Sequence, residues 1–115
     1  MEIKFKCVNI TSKNPKELAD FYRKIGFPVY VDDNDYDGWF LGRPHDDGGV
    51  CVWDENRWGR ATEGTLTIVL DVNDLNVTYE ELKKKGLDID PPRTTDWGGT
   101  ELVMTDPDGN KIIIL

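Results

Sequence analysis

The sequence predicts an α+β domain made of two βαβββ modules, one after the other along the chain. Three observations carry this prediction. Two segments, at about 15–25 and 75–85, have the start signals, stop signals and apolar period of helices. Each is preceded by one strand-like run and followed by three. Their boundaries lie 60 positions apart, Asn14 against Asp74 and Gly26 against Gly86, so the chain reads as an internal duplication. The modules fall at about 1–53 and 65–115, with a linker at 54–64.

The first module opens with a strand at Val8 to Ile10, preceded by Phe5 and Cys7. Asn14-Pro15-Lys16-Glu17 then supplies an N-cap, a proline at the first helical position and a Glu at the third. Leu18, Phe21, Tyr22 and Ile25 follow at i, i+3, i+4 and i+7, and Gly26 ends the helix. Short β-like runs come next at Pro28 to Val31, Gly38 to Leu41 and Val50 to Trp53, divided by Asp, Asn and Gly clusters. The second module repeats this order. Thr65 to Val72 is a strand, and Asp74 caps a helix with Leu75, Tyr79 and Leu82 inward, closed by Gly86. Strands are expected at Leu87 to Ile89, Gly99 to Thr105 and Asn110 to Leu115, the last two joined by the turn Asp106-Pro107-Asp108-Gly109.

Composition narrows the function classes. The 115 residues carry 14 Lys and Arg against 22 Asp and Glu, a formal net charge of -8. A surface of that sign repels phosphate backbones, and the basic residues are scattered, so nucleic acid is not an expected partner. No apolar run approaches the roughly 18 residues needed to cross a bilayer, and the Met-Glu-Ile-Lys-Phe-Lys start lacks a signal peptide's apolar stretch. No membrane partner is expected, and the expected location is the cytoplasm. Two cysteines make no disulfide framework, and reduced thiols fit that compartment. The sequons Asn9-Ile10-Thr11 and Asn76-Val77-Thr78 read as chance matches.

A βαβββ unit covers one face of its sheet with its helix and leaves the other bare, so the units must curl together or pair with another chain. A homodimer is the expected assembly, and the bare concave face is the natural pocket. The order of elements, the segment Leu18-Ala19-Asp20-Phe21-Tyr22-Arg23-Lys24-Ile25-Gly26-Phe27-Pro28-Val29, and the ending from Trp97-Gly98-Gly99-Thr100 to Asp106-Pro107-Asp108-Gly109-Asn110 together resemble the vicinal-oxygen-chelate superfamily. That superfamily holds glyoxalase I, extradiol dioxygenases, fosfomycin-resistance enzymes and bleomycin-binding proteins. The resemblance spans the whole chain and is specific for fold, whereas activity differs from member to member.

The resemblance implies where a metal would be held. Metal-dependent members carry His, Gln or Glu on the first and last strand of each module, because a divalent ion there needs nitrogen or oxygen donors around open positions. The matching positions in this chain are Cys7, Trp53 with Cys51 two residues earlier, Thr67 and Ile113. No metal and no cofactor is therefore expected. The two cysteines stay open between a buried apolar role, a soft-metal pair, a redox-sensitive disulfide and a nucleophile. His45, the single histidine, lies in a polar loop. The Asp33-x-Asp35-x-Asp37-Gly38 run begins like a calcium loop but has Pro44 where the bidentate Glu belongs, which favours an acidic turn.

Four tryptophans, Trp39, Trp53, Trp58 and Trp97, are many for this length. Trp53 shares Cys51's face by strand alternation, and an aromatic wall with few charges suits a flat organic ligand. The expected ligand-binding set is Cys7, Trp39, Cys51, Trp53, Thr67, Glu101 and Ile113. The expected function is metal-independent binding of a small organic molecule, as in the bleomycin-resistance type. The alternative is a glyoxalase-like lyase, isomerase or dioxygenase with an atypical site, in which Glu101 or Asp71 would serve as acid or base. A third reading is an acidic module for a basic partner.

Overall fold

The computed structural model describes residues 2, 5–31, 38–43, 48–58, 62 and 64–115, which fall into two compact units, Met1–Glu63 and Gly64–Leu115. The His45 loop and the Asp33 to Asp37 turn lie outside the described residues. The first unit holds β1 (Val8–Ser12), α1 (Pro15–Lys24), β2 (Val29–Val31), β3 (Trp39–Leu41), β4 (Val50–Asp54) and α2 (Glu55–Trp58). The second holds β5 (Thr67–Leu70), α3 (Leu75–Lys84), β6 (Arg93–Thr94), β7 (Thr100–Thr105) and β8 (Lys111–Ile114).

The two long helices begin and end alike. Asn14 Oδ1 accepts the backbone N–H of Glu17 at 3.3 Å, and Asp74 Oδ1 accepts that of Val77 at 3.0 Å. Each cap satisfies one of the donors that a helix start leaves unpaired. At the other end Gly26 and Gly86 take φ of 92° and 87°. The following residue's N–H turns back onto the last helical turn, Phe27 to the Tyr22 carbonyl at 2.9 Å and Leu87 to that of Leu82 at 3.3 Å. A side chain at those positive φ values is strained, so glycine is the residue that lets both chains reverse.

Each unit builds one four-stranded sheet of the same plan, β1-β4-β3-β2 and β5-β8-β7-β6, with the first and last strands parallel and the rest antiparallel. The helix lies on one face. Leu18 and Tyr22 of α1 are fully buried against the sheet residues Ile10, Leu41 and Val52. Leu82 of α3 is buried with Leu102, Met104, Ile112 and Ile114. Phe21, Ile25, Leu75 and Tyr79, expected inward, are half-buried at the helix flanks.

The Asp-Pro-Asp-Gly-Asn turn is structural. Buried Asp106 accepts the N–H groups of Asp108 and Asn110 through Oδ1, both at 2.9 Å, and the Asn110 side-chain amide through Oδ2 at 3.0 Å. Asn110 Oδ1 in turn accepts the N–H of Leu66 at 3.1 Å, so the β7–β8 turn also fixes the entry to β5.

One expectation needs correction. No strand forms at Leu87 to Ile89; pairing starts at Arg93, beyond Pro91 and Pro92, which have no N–H to give a ladder. Within the stretch read as a linker, β4 runs to Asp54 and α2 follows, with Asp54 Oδ1 accepting the N–H of Asn56 at 2.9 Å.

Candidate functional site

Strand alternation assigns a second face to each sheet, the one away from its long helix. In the first unit the register sets Tyr30 beside Phe40, Phe40 beside Cys51 and Cys51 beside Asn9, a single row across all four strands. Paired residues point to one side, opposite Val52 and Ile10 on the α1 side. Thr11 and Trp53 form the next pair of that face.

Glycines let the rings lie flat on the backbone there. A Cβ built on Gly38 would sit 2.9 Å from Trp53 Cε3, and one on Gly49 would sit 2.4 Å from Phe40 Cζ. Gly48 has the Phe5 ring at the same close range, and Phe5 itself is 65% exposed. The result is a face of Phe5, Tyr30, Phe40 and Trp53 around two thiols, with room for close approach that any side chain at Gly38 or Gly49 would remove.

Asn9 is the polar centre of this face. Its Oδ1 accepts the Trp53 indole N–H at 3.2 Å and the Cys7 thiol at 3.7 Å. Burial pushes the Cys51 thiol up to about 12, reinforced by the neighbouring Cys7 thiol, with Lys6 acting the other way. Both cysteines are free, Cys51 buried and Cys7 half-buried.

In the second unit the corresponding face is of another kind. Val69, Ile113 and Val103 make one row, Thr67, Lys111 and Thr105 the next, and Arg93 lies beside Glu101. Val69 is 57% exposed. Arg93 donates to Glu101 Oε1 through Nε and Nη2, both at 3.0 Å, with Glu101 largely covered and Arg93 largely exposed. Beside this pair is a cleft of about 370 Å³ lined by Arg93, Thr94, Thr95, Asp96, Trp97 and Glu101, over which the exposed Trp97 ring folds back onto Gly99.

The structure thus gathers the expected residues into two groups, Cys7, Cys51 and Trp53 in one unit and Thr67, Glu101 and Ile113 in the other. Trp39 does not join them. It pairs with Val52 and Val31, on the α1 side of the sheet, and Phe40 takes the place expected for it. Asp71 is exposed, just after the end of β5. Of the residues missed by sequence reasoning, Asn9, Tyr30 and Phe40 were signalled by alternation along β1, β2 and β3, and Phe5 lies ahead of β1. Only the β3–β4 register resolves which of Trp39 and Phe40 shares Cys51's side.

A profile of the Glyoxalase/Bleomycin resistance protein/Dioxygenase superfamily matches residues 4–114. The chain belongs to this superfamily. Its fold is similar to that of TnmS3, an antibiotic binding protein from Streptomyces sp. CB03234, with a TM-score of 0.76 at 23% identity over 99% of this chain and 96% of that one. It is also similar to a superfamily member from Sphaerobacter thermophilus DSM 20745, with a TM-score of 0.74 at 23% identity, covering 98% and 96% of the two chains. A virulence protein from Salmonella typhimurium gives 0.74 at 18% identity over 99% and 96%. Identities this low establish the fold alone. No protein with a curated description matches the chain significantly.

Sheet pairing refines the positions at which metal-dependent members of the superfamily hold their ion. Cys51 lies opposite Asn9 and Ile113 opposite Val69, so Cys51, rather than Trp53, is the counterpart of Ile113. The stretch from helix cap to last strand is two residues longer in the second unit, which accounts for the shift. These positions therefore carry two thiols in the first unit and a hydroxyl and a hydrocarbon in the second, and none supplies the His, Gln or Glu donor that metal-dependent members use. Among the described residues no three His, Cys, Asp or Glu side chains converge.

Proposed function

We propose that the protein binds a small, flat organic molecule without a metal ion, on the face of the first unit formed by Phe5, Tyr30, Phe40 and Trp53, and that it works as a homodimer. The observation that carries this reading is the row of rings laid on glycine backbone beside two free thiols. Such a face offers stacking area and a polar anchor at Asn9, the combination that suits an apolar aromatic ligand with a hydrogen-bonding group. The fold shared with an antibiotic binding protein supports the same class of ligand. Exposed Val69 and Phe5, apolar side chains on these faces, support pairing with a second copy.

The test is a thermal-shift screen over planar aromatic compounds, run beside elemental analysis of the purified protein. A ligand at a hundredfold excess over its Kd stabilises the native state by roughly 2.7 kcal/mol, a shift of several degrees for a domain of this size. The reading expects such a shift in protein free of stoichiometric metal. A shift that occurs only after a divalent ion is added contradicts it, and light scattering that gives a monomer contradicts the dimer.

A further inference from the structure

Cys7 and Cys51 bring two sulfurs to the same asparagine: the Cys7 thiol donates to Asn9 Oδ1 at 3.7 Å, and Cys51 is the residue paired with Asn9 across the strands. Their settings differ. Cys51 is 8% exposed in the middle of β4, held between β1 and β3. Cys7 is half-buried in the segment just before β1, whose nearest ladder bond is from the Val8 N–H to the Gly49 carbonyl at 2.9 Å. Cys51 pairs across the strands with Asn9, which places Cys7 on the diagonal.

We propose that Cys7 and Cys51 are a modification site that an organic or hydrogen peroxide closes to an internal disulfide. Cys7, the accessible thiol, attacks one oxygen of the peroxide; the O–O bond breaks, the other oxygen leaves as alcohol or water with the thiol proton, and Cys7 becomes a sulfenic acid. The Cys51 sulfur then attacks the Cys7 sulfur. The S–S bond forms, the S–O bond breaks, and the departing hydroxide takes the Cys51 proton and leaves as water. Two thiols are oxidised by two electrons and one peroxide is reduced. Burial spares Cys51 from the peroxide itself and leaves the Cys7 sulfur as its partner. Diagonal neighbours on adjacent strands are slightly farther apart than a disulfide's Cα spacing, so the segment before Val8 must shift by something on the order of 1–2 Å. That segment precedes the β1 ladder, which begins at Val8. A small thiol such as dithiothreitol reverses the step by exchange. The inference rests on thiol placement and is independent of the ligand-binding reading.

The experiment exposes the reduced full chain to graded hydrogen peroxide, followed by intact mass measurement, free-thiol counting after denaturation, and peptide mapping without reductant. The expected result is loss of two hydrogens per chain, disappearance of both thiols together, and a linked pair of peptides containing Cys7 and Cys51, all reversed by dithiothreitol. In Cys51→Ala, Cys7 stops at a sulfenic acid that dimedone traps. In Cys7→Ser, a change at a half-buried position that leaves the core intact, Cys51 keeps its thiol at the same peroxide dose. Retention of both thiols in the unmodified chain, cross-links between chains in place of the internal bond, or onward oxidation of Cys7 to sulfinic acid with Cys51 still free each overturn the proposal.

Discussion

The two units share a scaffold and differ on the face the scaffold leaves uncovered by its long helix. Their helices are capped at positions 60 apart by the same contact, reversed by the same left-handed glycine, and followed by sheets of one strand order. The helix-side cores are interchangeable in kind, Leu18, Tyr22, Ile10, Leu41 and Val52 in one and Leu82, Leu102, Met104, Ile112 and Ile114 in the other. The opposite faces have nothing in common. One carries rings on glycines around two thiols, the other a Val69–Ile113–Val103 row flanked by the Arg93–Glu101 pair. What must fold is repeated, and the face that the fold leaves open differs, as expected when function is carried by a site placed on a fold.

The largest effects should come from the shared part. Leu18→Ala in the first unit and Leu102→Ala in the second each remove a fully buried side chain, and each should cost ~2–5 kcal/mol in denaturant unfolding. A large loss in one and a negligible loss in the other would break the equivalence of the cores. The next effect separates the faces. Trp53→Ala should weaken binding of an aromatic ligand by ~10- to 100-fold, the loss of about 1.5–3 kcal/mol of ring burial, whereas Val69→Ala should change it less than about threefold in the same titration.

How far these faces were legible in the sequence depended on the length scale each feature needs. Caps, helix periods and the duplication are local, and all were read from the chain. Alternation along β4 set Cys51 and Trp53 on one side, whereas Cys7, ahead of β1, was placed near them by the family resemblance alone. Trp39 was misplaced because β3 is only three residues long, and its facing is fixed by pairing with β4, a contact across a loop. The Arg93–Glu101 pair depends in the same way on the register of a hairpin whose first strand begins beyond two prolines. The lack of His, Gln or Glu at the superfamily's ligand positions was legible from residue identities, while strand pairing was needed to choose Cys51 over Trp53 as one of those positions.

Smaller effects sharpen the comparison. Asn14→Ala and Asp74→Ala should each cost ~0.5–2 kcal/mol, with circular dichroism in denaturant as the readout, and near-equal values would confirm that the caps are equivalent. The thiol pair belongs to one unit alone. Because folding raises the Cys51 thiol to about 12, the native state holds its proton where the unfolded chain has lost it. Stability from this group is therefore complete below about pH 9 and is lost as pH rises towards 12, a decline that Cys51→Ala should flatten. Smallest of all, Arg93→Met should cost no more than about 1 kcal/mol, since the guanidinium is largely in water.

The central claim is that the aromatic face of the first unit holds the ligand and needs no metal. A tryptophan-fluorescence titration tests it most directly, with the chelator-treated full chain and its Trp53→Ala variant run against the same set of planar aromatic compounds. The account predicts saturable quenching in the parent protein, unchanged by chelator and lost or shifted at least tenfold in the variant. Binding that vanishes with chelator and returns with a divalent ion, or that is equal in the two proteins, would contradict it.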